Sequence, residues 1–166
     1  PLLQIPHFTK QLVLKFKEQF EIETCYDLLE HSSLNQIILE TIEPSFQKET
    51  FQFISRYPNV LLTHSYDDGL IHIQIDRESL PQSTTNEPSI PIVNSVNSLP
   101  RHESWWIVIG NESDDTLLSI KKISFAQSTK LQIPIQADLM EKECAPLQLY
   151  LISDSYLGCD QEFSIQ

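Results

Sequence analysis

The stretch Asp68-Gly69-Leu70-Ile71-His72-Ile73-Gln74-Ile75-Asp76 decides the fold. Ile71, Ile73 and Ile75 alternate with His72, Gln74 and Asp76, the period-two pattern of a strand that buries one face. Asp-Gly ahead of it is a hairpin-turn dipeptide, so Asn59 to Tyr66 is its predicted partner. The same period returns at Ser104 to Ile109, where Gly110-Asn111 ends the strand. It recurs at Thr116 to Phe125, Lys130 to Gln136, Gln148 to Ser153 and Glu162 to Gln166. Seven short strands over residues 58–166 predict an antiparallel β-sandwich of immunoglobulin or fibronectin type III kind. The stretch from Leu80 to Pro100, rich in Pro, Ser, Thr and Asn, reads as a long inter-strand loop.

Residues 1–57 have a different period. Leu12, Val13, Phe16 and Phe20 form one helical stripe behind Thr9, a suitable N-cap. A second helix fits Thr24 to Glu30, and a third follows Ser32 or Ser33 with Leu34, Ile37 and Ile38. Pro44 suits the first turn of a fourth helix, whose stripe is Phe46, Phe51 and Ile54 or Phe53, and Pro58 stops it. The fold class is therefore α+β: an all-helical subdomain over residues 1–57, then the seven-stranded antiparallel sandwich. About 57 residues are marginal alone, so the helical part is expected to lean on another element.

The chain has 166 residues, with 40% apolar and 20% charged side chains, enough to bury a core and unlike a disordered chain. Its net charge is −12, which argues against a module that wraps nucleic acid. Residues 1–57 carry eight acids and five bases, residues 58–166 fifteen and six, so the strand half is the more acidic. A partner steered by that half should be basic or should bind through apolar contacts. The three glycines, Gly69, Gly110 and Gly158, form no phosphate-cradling loop. Cys25, Cys144 and Cys159 are odd in number and far apart, as expected of reduced thiols. No run of 18 apolar residues is present. Pro1 to Pro6 has neither an initiator Met nor a signal-peptide pattern, which predicts a piece of a longer protein.

Chemistry-bearing patterns are sparse. His64 and His72 fall on neighbouring strands, but no Cys pair has metal-ligand spacing, and the default for His7, His31, His64, His72 and His102 is an ordinary surface or strand role. Asp67-Asp68, Asp114-Asp115 and Glu141-Lys142-Glu143 fall at turns, where Asp suits the backbone. Cys159 reads as a buried, inert thiol beside a turn, and Asn111-Glu112-Ser113 as an unused sequon. Trp105-Trp106 is the most informative pair. Adjacent strand residues face opposite sides, so one indole fills the core and the other points outward, under a neighbouring element or toward a partner. The helical half has no glycine and only Lys10, Lys15, Lys17, Lys48 and Arg56 as bases. The Lys10–Lys17 face offers at most weak phosphate contact.

Four stretches carry a resemblance. Pro1-Leu2-Leu3-Gln4-Ile5-Pro6-His7-Phe8 resembles the opening of the helix-hairpin-helix part of the Sec-sixty-three homology unit, and Arg56-Tyr57-Pro58-Asn59 its joint to a fibronectin-like sandwich. Trp105-Trp106-Ile107-Val108-Ile109-Gly110, followed by Leu118-Ser119-Ile120-Lys121-Lys122, resembles its central strands. Ser153-Asp154-Ser155-Tyr156-Leu157-Gly158-Cys159-Asp160-Gln161-Glu162 resembles its closing strand pair. The resemblance covers nearly the whole chain, and the last motif is long and specific. Within the family it is most similar to the unit that ends the second cassette of the spliceosomal RNA helicases that unwind the U-four/U-six snRNA duplex.

That resemblance implies a helical bundle upstream, a parent ATP-dependent RNA helicase in the nucleus, and a second cassette that regulates and docks proteins without catalysis. For this stretch the absent motifs predict no catalytic residue, cofactor or metal ligand, and a monomer without membrane contact is expected. The implied partners are splicing proteins and the rest of the helicase. Trp106, Tyr156 and Asp154 are the candidate partner contacts, with Trp106 or Tyr156 expected as an exposed aromatic. The alternatives are an RNA-contacting clamp using Lys10, Lys15 and Lys17, or the corresponding unit of an endoplasmic-reticulum translocon protein.

Overall fold

The computed structural model describes residues 1–78, 102–111, 113–135 and 147–165. They fall into two compact units: Pro1–Tyr57 with Tyr156–Gly158, and the remaining described residues from Pro58 onward. The predicted loop over residues 80–100 and the Glu141–Glu143 cluster lie outside the described residues.

The first unit is helical. A short 3-10 turn, Leu2–Gln4, precedes α1 (Lys10–Phe20), α2 (Cys25–Glu30), α3 (Leu34–Thr41) and α4 (Pro44–Arg56). The starts follow from local chemistry. Thr9 Oγ1 accepts the Leu12 N–H at 3.2 Å. At α2 a capping box closes: Thr24 Oγ1 accepts the Asp27 N–H at 3.1 Å, and Asp27 Oδ2 accepts the Thr24 N–H at 2.8 Å. Pro44 stands in the first turn of α4, where its missing N–H costs nothing, and Tyr57 before Pro58 is extended (ψ 128°) and ends the helix. At α3 the Ser33 side chain makes no cap bond.

Leu2, Ile5, Phe16, Ile22, Leu28 and Ile38 are fully buried in this unit, each worth roughly 1.5–3 kcal/mol by removal from water. The α4 stripe differs from the expectation. Phe46 is exposed and Phe51 half-buried, while Thr50, Phe53 and Ile54 are buried. Thr50 can turn inward because its hydroxyl donates to the Phe46 carbonyl (3.2 Å) and the Pro6 carbonyl (3.3 Å).

The second unit holds seven strands: β1 (Val60–Asp67), β2 (Leu70–Arg77), β3 (Trp105–Asn111), β4 (Thr116–Ile123), β5 (Ser128–Pro134), β6 (Leu147–Ser153) and β7 (Gln161–Ile165). They form two antiparallel sheets, ordered β1-β2-β5 and β4-β3-β6-β7. The β1–β2 turn has positive φ at Asp68 (46°) and Gly69 (75°), as a two-residue hairpin loop requires. Ile71, Ile73 and Ile75 of β2, Trp105, Ile107 and Ile109 of β3, and Leu147, Leu149 and Leu151 of β6 are buried, so each sheet has one inward face. The amide of Gln161 donates to the Val60 carbonyl at 2.8 Å. The β3–β4 register shifts after Ile109: Ile109 faces Ser119, Gly110 faces Leu117, and Leu118 is the extra residue of a bulge. β4 ends at Ile123, which leaves Phe125 beyond the strand, its ring 6.4 Å from that of Trp105.

Candidate functional site

The tryptophan pair splits as alternation demands. Trp105 is buried, and its indole N–H donates to Glu103 Oε1 at 2.7 Å. Arg77 of β2 forms an ion pair with the same carboxylate and donates through Nε to the Ala126 carbonyl at 3.1 Å. Its guanidinium lies 5.9 Å from the Phe125 ring centroid. Glu103 Oε2 is buried and accepts no hydrogen bond among the described residues. Burial pushes the Glu103 carboxyl above the usual range, and the Arg77 charge only partly opposes it. Both side chains are sealed from solvent, so this is a polar core, built to hold β2 and the approach to β3.

Trp106 faces the opposite side of β3 and is half-buried. It is the cross-strand partner of Lys122, whose Nζ lies 5.2 Å from the Trp106 ring centroid and 2.7 Å from Asp154 Oδ2. Asp154 also accepts from Ser104 Oγ (2.5 Å) and Ser155 Oγ (2.7 Å). Burial pushes the Asp154 carboxyl up, but the hydrogen bonds from Lys122, Ser104 and Ser155 outweigh it and hold it below the usual range. Two of the three candidate contacts, Trp106 and Asp154, thus meet around a cation. Lys122 escaped sequence reasoning because its role depends on the β3–β4 register, although it stands in the quoted central-strand motif.

Tyr156 is not an exposed aromatic. It is buried in the helical unit, its ring 5.6 Å from those of Phe53 and Tyr57. Leu157 beside it holds that segment in place: its carbonyl accepts from Tyr57 Oη at 2.9 Å and from the Gln4 amide at 2.7 Å.

Around Trp106 the outward face of the four-stranded sheet is apolar. Cross-strand rows place Ile120 beside Val108 and Tyr150, and Trp106 beside Ile152. Ile120 and Leu117 are 57% and 59% exposed, and the others are half-buried. Next to this face a shallow recess of about 230 Å³ is lined by Gly110, Asn111, Asp115, Thr116, Leu117 and Tyr150.

The lysine face is less organised. Lys10, Lys15 and Lys17 are all exposed on α1, and Lys17 pairs with Glu23 at 2.9 Å. Lys15 lines a groove of about 370 Å³ with Thr9, Leu12, Thr41 and Phe46, and Phe46 stacks on His7 at 4.0 Å. His64 and His72 are on neighbouring strands but opposite faces, since His64 is paired with Ile73 and His72 with Ser65. No cluster of three His, Cys, Asp or Glu suited to a metal occurs among the described residues. Cys25 and Cys159 are buried, and burial pushes the Cys159 thiol up to about 12.

The chain is 31% identical over 98% of its length to the U5 small nuclear ribonucleoprotein 200 kDa helicase of Drosophila melanogaster. It is 28% identical over the same share to the human protein of that name, and 29% to the DExH-box ATP-dependent RNA helicase DExH12 of Arabidopsis thaliana. The chain spans about 8% of the length of these curated relatives. Residues 18–166 match the family model described as the Sec63 Brl domain, and the chain belongs to that family.

Proposed function

We propose that this chain is a non-catalytic unit ending the second cassette of a nuclear spliceosomal RNA helicase, where it docks splicing proteins and regulates the helicase. The observation that carries this reading is the outward face of the β4-β3-β6-β7 sheet, with Trp106 and Asp154 joined through Lys122 and apolar side chains beside them. Aromatic residues held by surrounding contacts are common anchors of protein interfaces. The names of the relatives supply the RNA helicase and the U5 small nuclear ribonucleoprotein, and the splicing role follows from the resemblance of the sequence motifs.

In this reading residues 1–57 are a helix-hairpin-helix-like subdomain and residues 58–166 a fibronectin type III-like sandwich. The strand order supports the second assignment, because the chain crosses from β4 to β5 in the other sheet and back to β6 beside β3, a crossover of the kind found in Greek-key sandwiches. The unit works as a monomer, holds no cofactor and leaves ATP hydrolysis to the rest of the parent chain.

The test is co-purification of splicing proteins with the full-length protein carrying Trp106→Ala or Asp154→Ala, with folding checked by circular dichroism. Loss of specific proteins from folded variants is expected, and unchanged recovery from both rejects these contacts. An RNA clamp through Lys10, Lys15 and Lys17 is the second reading, favoured by their exposure on one helix. It predicts that RNA affinity falls steeply with salt and drops in Lys10→Ala/Lys15→Ala.

A further inference from the structure

We infer that the apolar face around Ile120 receives a basic amphipathic segment of a partner protein, with one apolar side chain seated in the recess at Gly110. This rests on the docking reading above and names the face and the chemistry of its occupant. The apolar part is Trp106, Val108, Ile120, Tyr150 and Ile152, with Leu117 at its end. Gly110 contributes no side chain to its row, so the recess opens between Leu117 and Tyr150. Its volume, about 230 Å³, holds one aliphatic or aromatic side chain and is too small for a nucleotide with its phosphates.

Charge selects the occupant. Asp114 and Asp115 are exposed at one end of the face, Asp160 at the other, and Glu162, the cross-strand neighbour of Tyr150, is exposed along the far strand. Among the described residues the cation on the face is Lys122, whose charge is balanced by Asp154, and Lys121 is in register with buried Ile107, on the other side of β4. An apolar centre with an acidic rim favours Lys and Arg flanking apolar anchors and opposes a polyanion.

The test places a photo-crosslinking amino acid at Ile120 of the full-length protein in splicing extract and sequences the crosslinked product. A segment of another protein with apolar residues interspersed with Lys or Arg is expected. A crosslink to RNA, to a second copy, to the protein's own chain or to an acidic segment overturns the inference, as does none at all. The segment, made as a synthetic peptide, should bind the full-length protein about tenfold or more weakly when Ile120→Lys or Leu117→Lys is introduced, which removes apolar contact and repels its bases. Its affinity should fall with salt. Unchanged affinity in both folded variants overturns the inference. If splicing proteins still co-purify with those variants, the docking reading survives on another face. If none co-purify with the wild-type protein, the docking reading itself falls.

Discussion

The guanidinium of Arg77 and the carboxylate of Glu103 are paired with each side chain only 1% exposed. A buried ion pair is costly to assemble and costlier to halve, because the survivor keeps its desolvation penalty. Arg77→Met should therefore destabilise the protein by about 3–5 kcal/mol at neutral pH, read from urea denaturation. Glu103→Gln should cost less, since its side-chain carbonyl still accepts from Trp105 and Arg77. Equal losses in the two variants would contradict this.

The pH dependence has a definite sign. Burial raises the Glu103 carboxyl above its ordinary value of 4.5, so the folded protein holds that proton more tightly than the unfolded chain. The resulting stability is fully present below pH 4.5 and is lost as pH rises through the folded-state value. Urea denaturation from pH 4 upward should show the wild type losing stability relative to Glu103→Gln. Parallel curves would show that Glu103 titrates normally.

Gly158 has φ +84°, and a Cβ built there meets the Pro1 ring at 3.2 Å. The left-handed backbone and the close approach both oppose a side chain. Gly158→Ala should lower stability by about 1 kcal/mol or more, seen as a lower denaturation midpoint. An unchanged midpoint would mean that Pro1 moves aside and the backbone relaxes.

Cys25 and Cys159 should resist alkylation. A thiol pushed up to about 12, as at Cys159, holds almost no thiolate at pH 8, and burial raises Cys25 as well. Iodoacetamide followed by mass spectrometry should label neither residue in native protein and both in urea. Rapid native labelling of Cys159 would reveal local opening or a closer base.

What was legible in the sequence was local. Thr9, Thr24, Pro44 and Pro58 mark helix ends by chemistry acting within four residues, and Ile71, Ile73 and Ile75 announce an inward strand face by period alone. What depends on distant partners stayed hidden. Thr50 is buried because Pro6, 44 residues away, offers a carbonyl. Tyr156 sits at the end of a strand-rich stretch yet packs on Phe53 and Tyr57, a pairing that alternation cannot reveal. Of the candidate site, Trp106 and Asp154 were named from motif and resemblance, while Lys122, which joins them, emerges only from cross-strand register.

The bulge at Leu118 bears on how safely the molecule can display greasy side chains. A straight edge strand carrying Leu117 and Ile120 would invite copies of itself to zip on and grow into fibrils. The extra residue twists β4 and breaks the ladder rhythm, and exposed Lys121 adds a charge near its end. Side chains can then remain on offer to a ligand while the backbone beside them stays a poor template for aggregation.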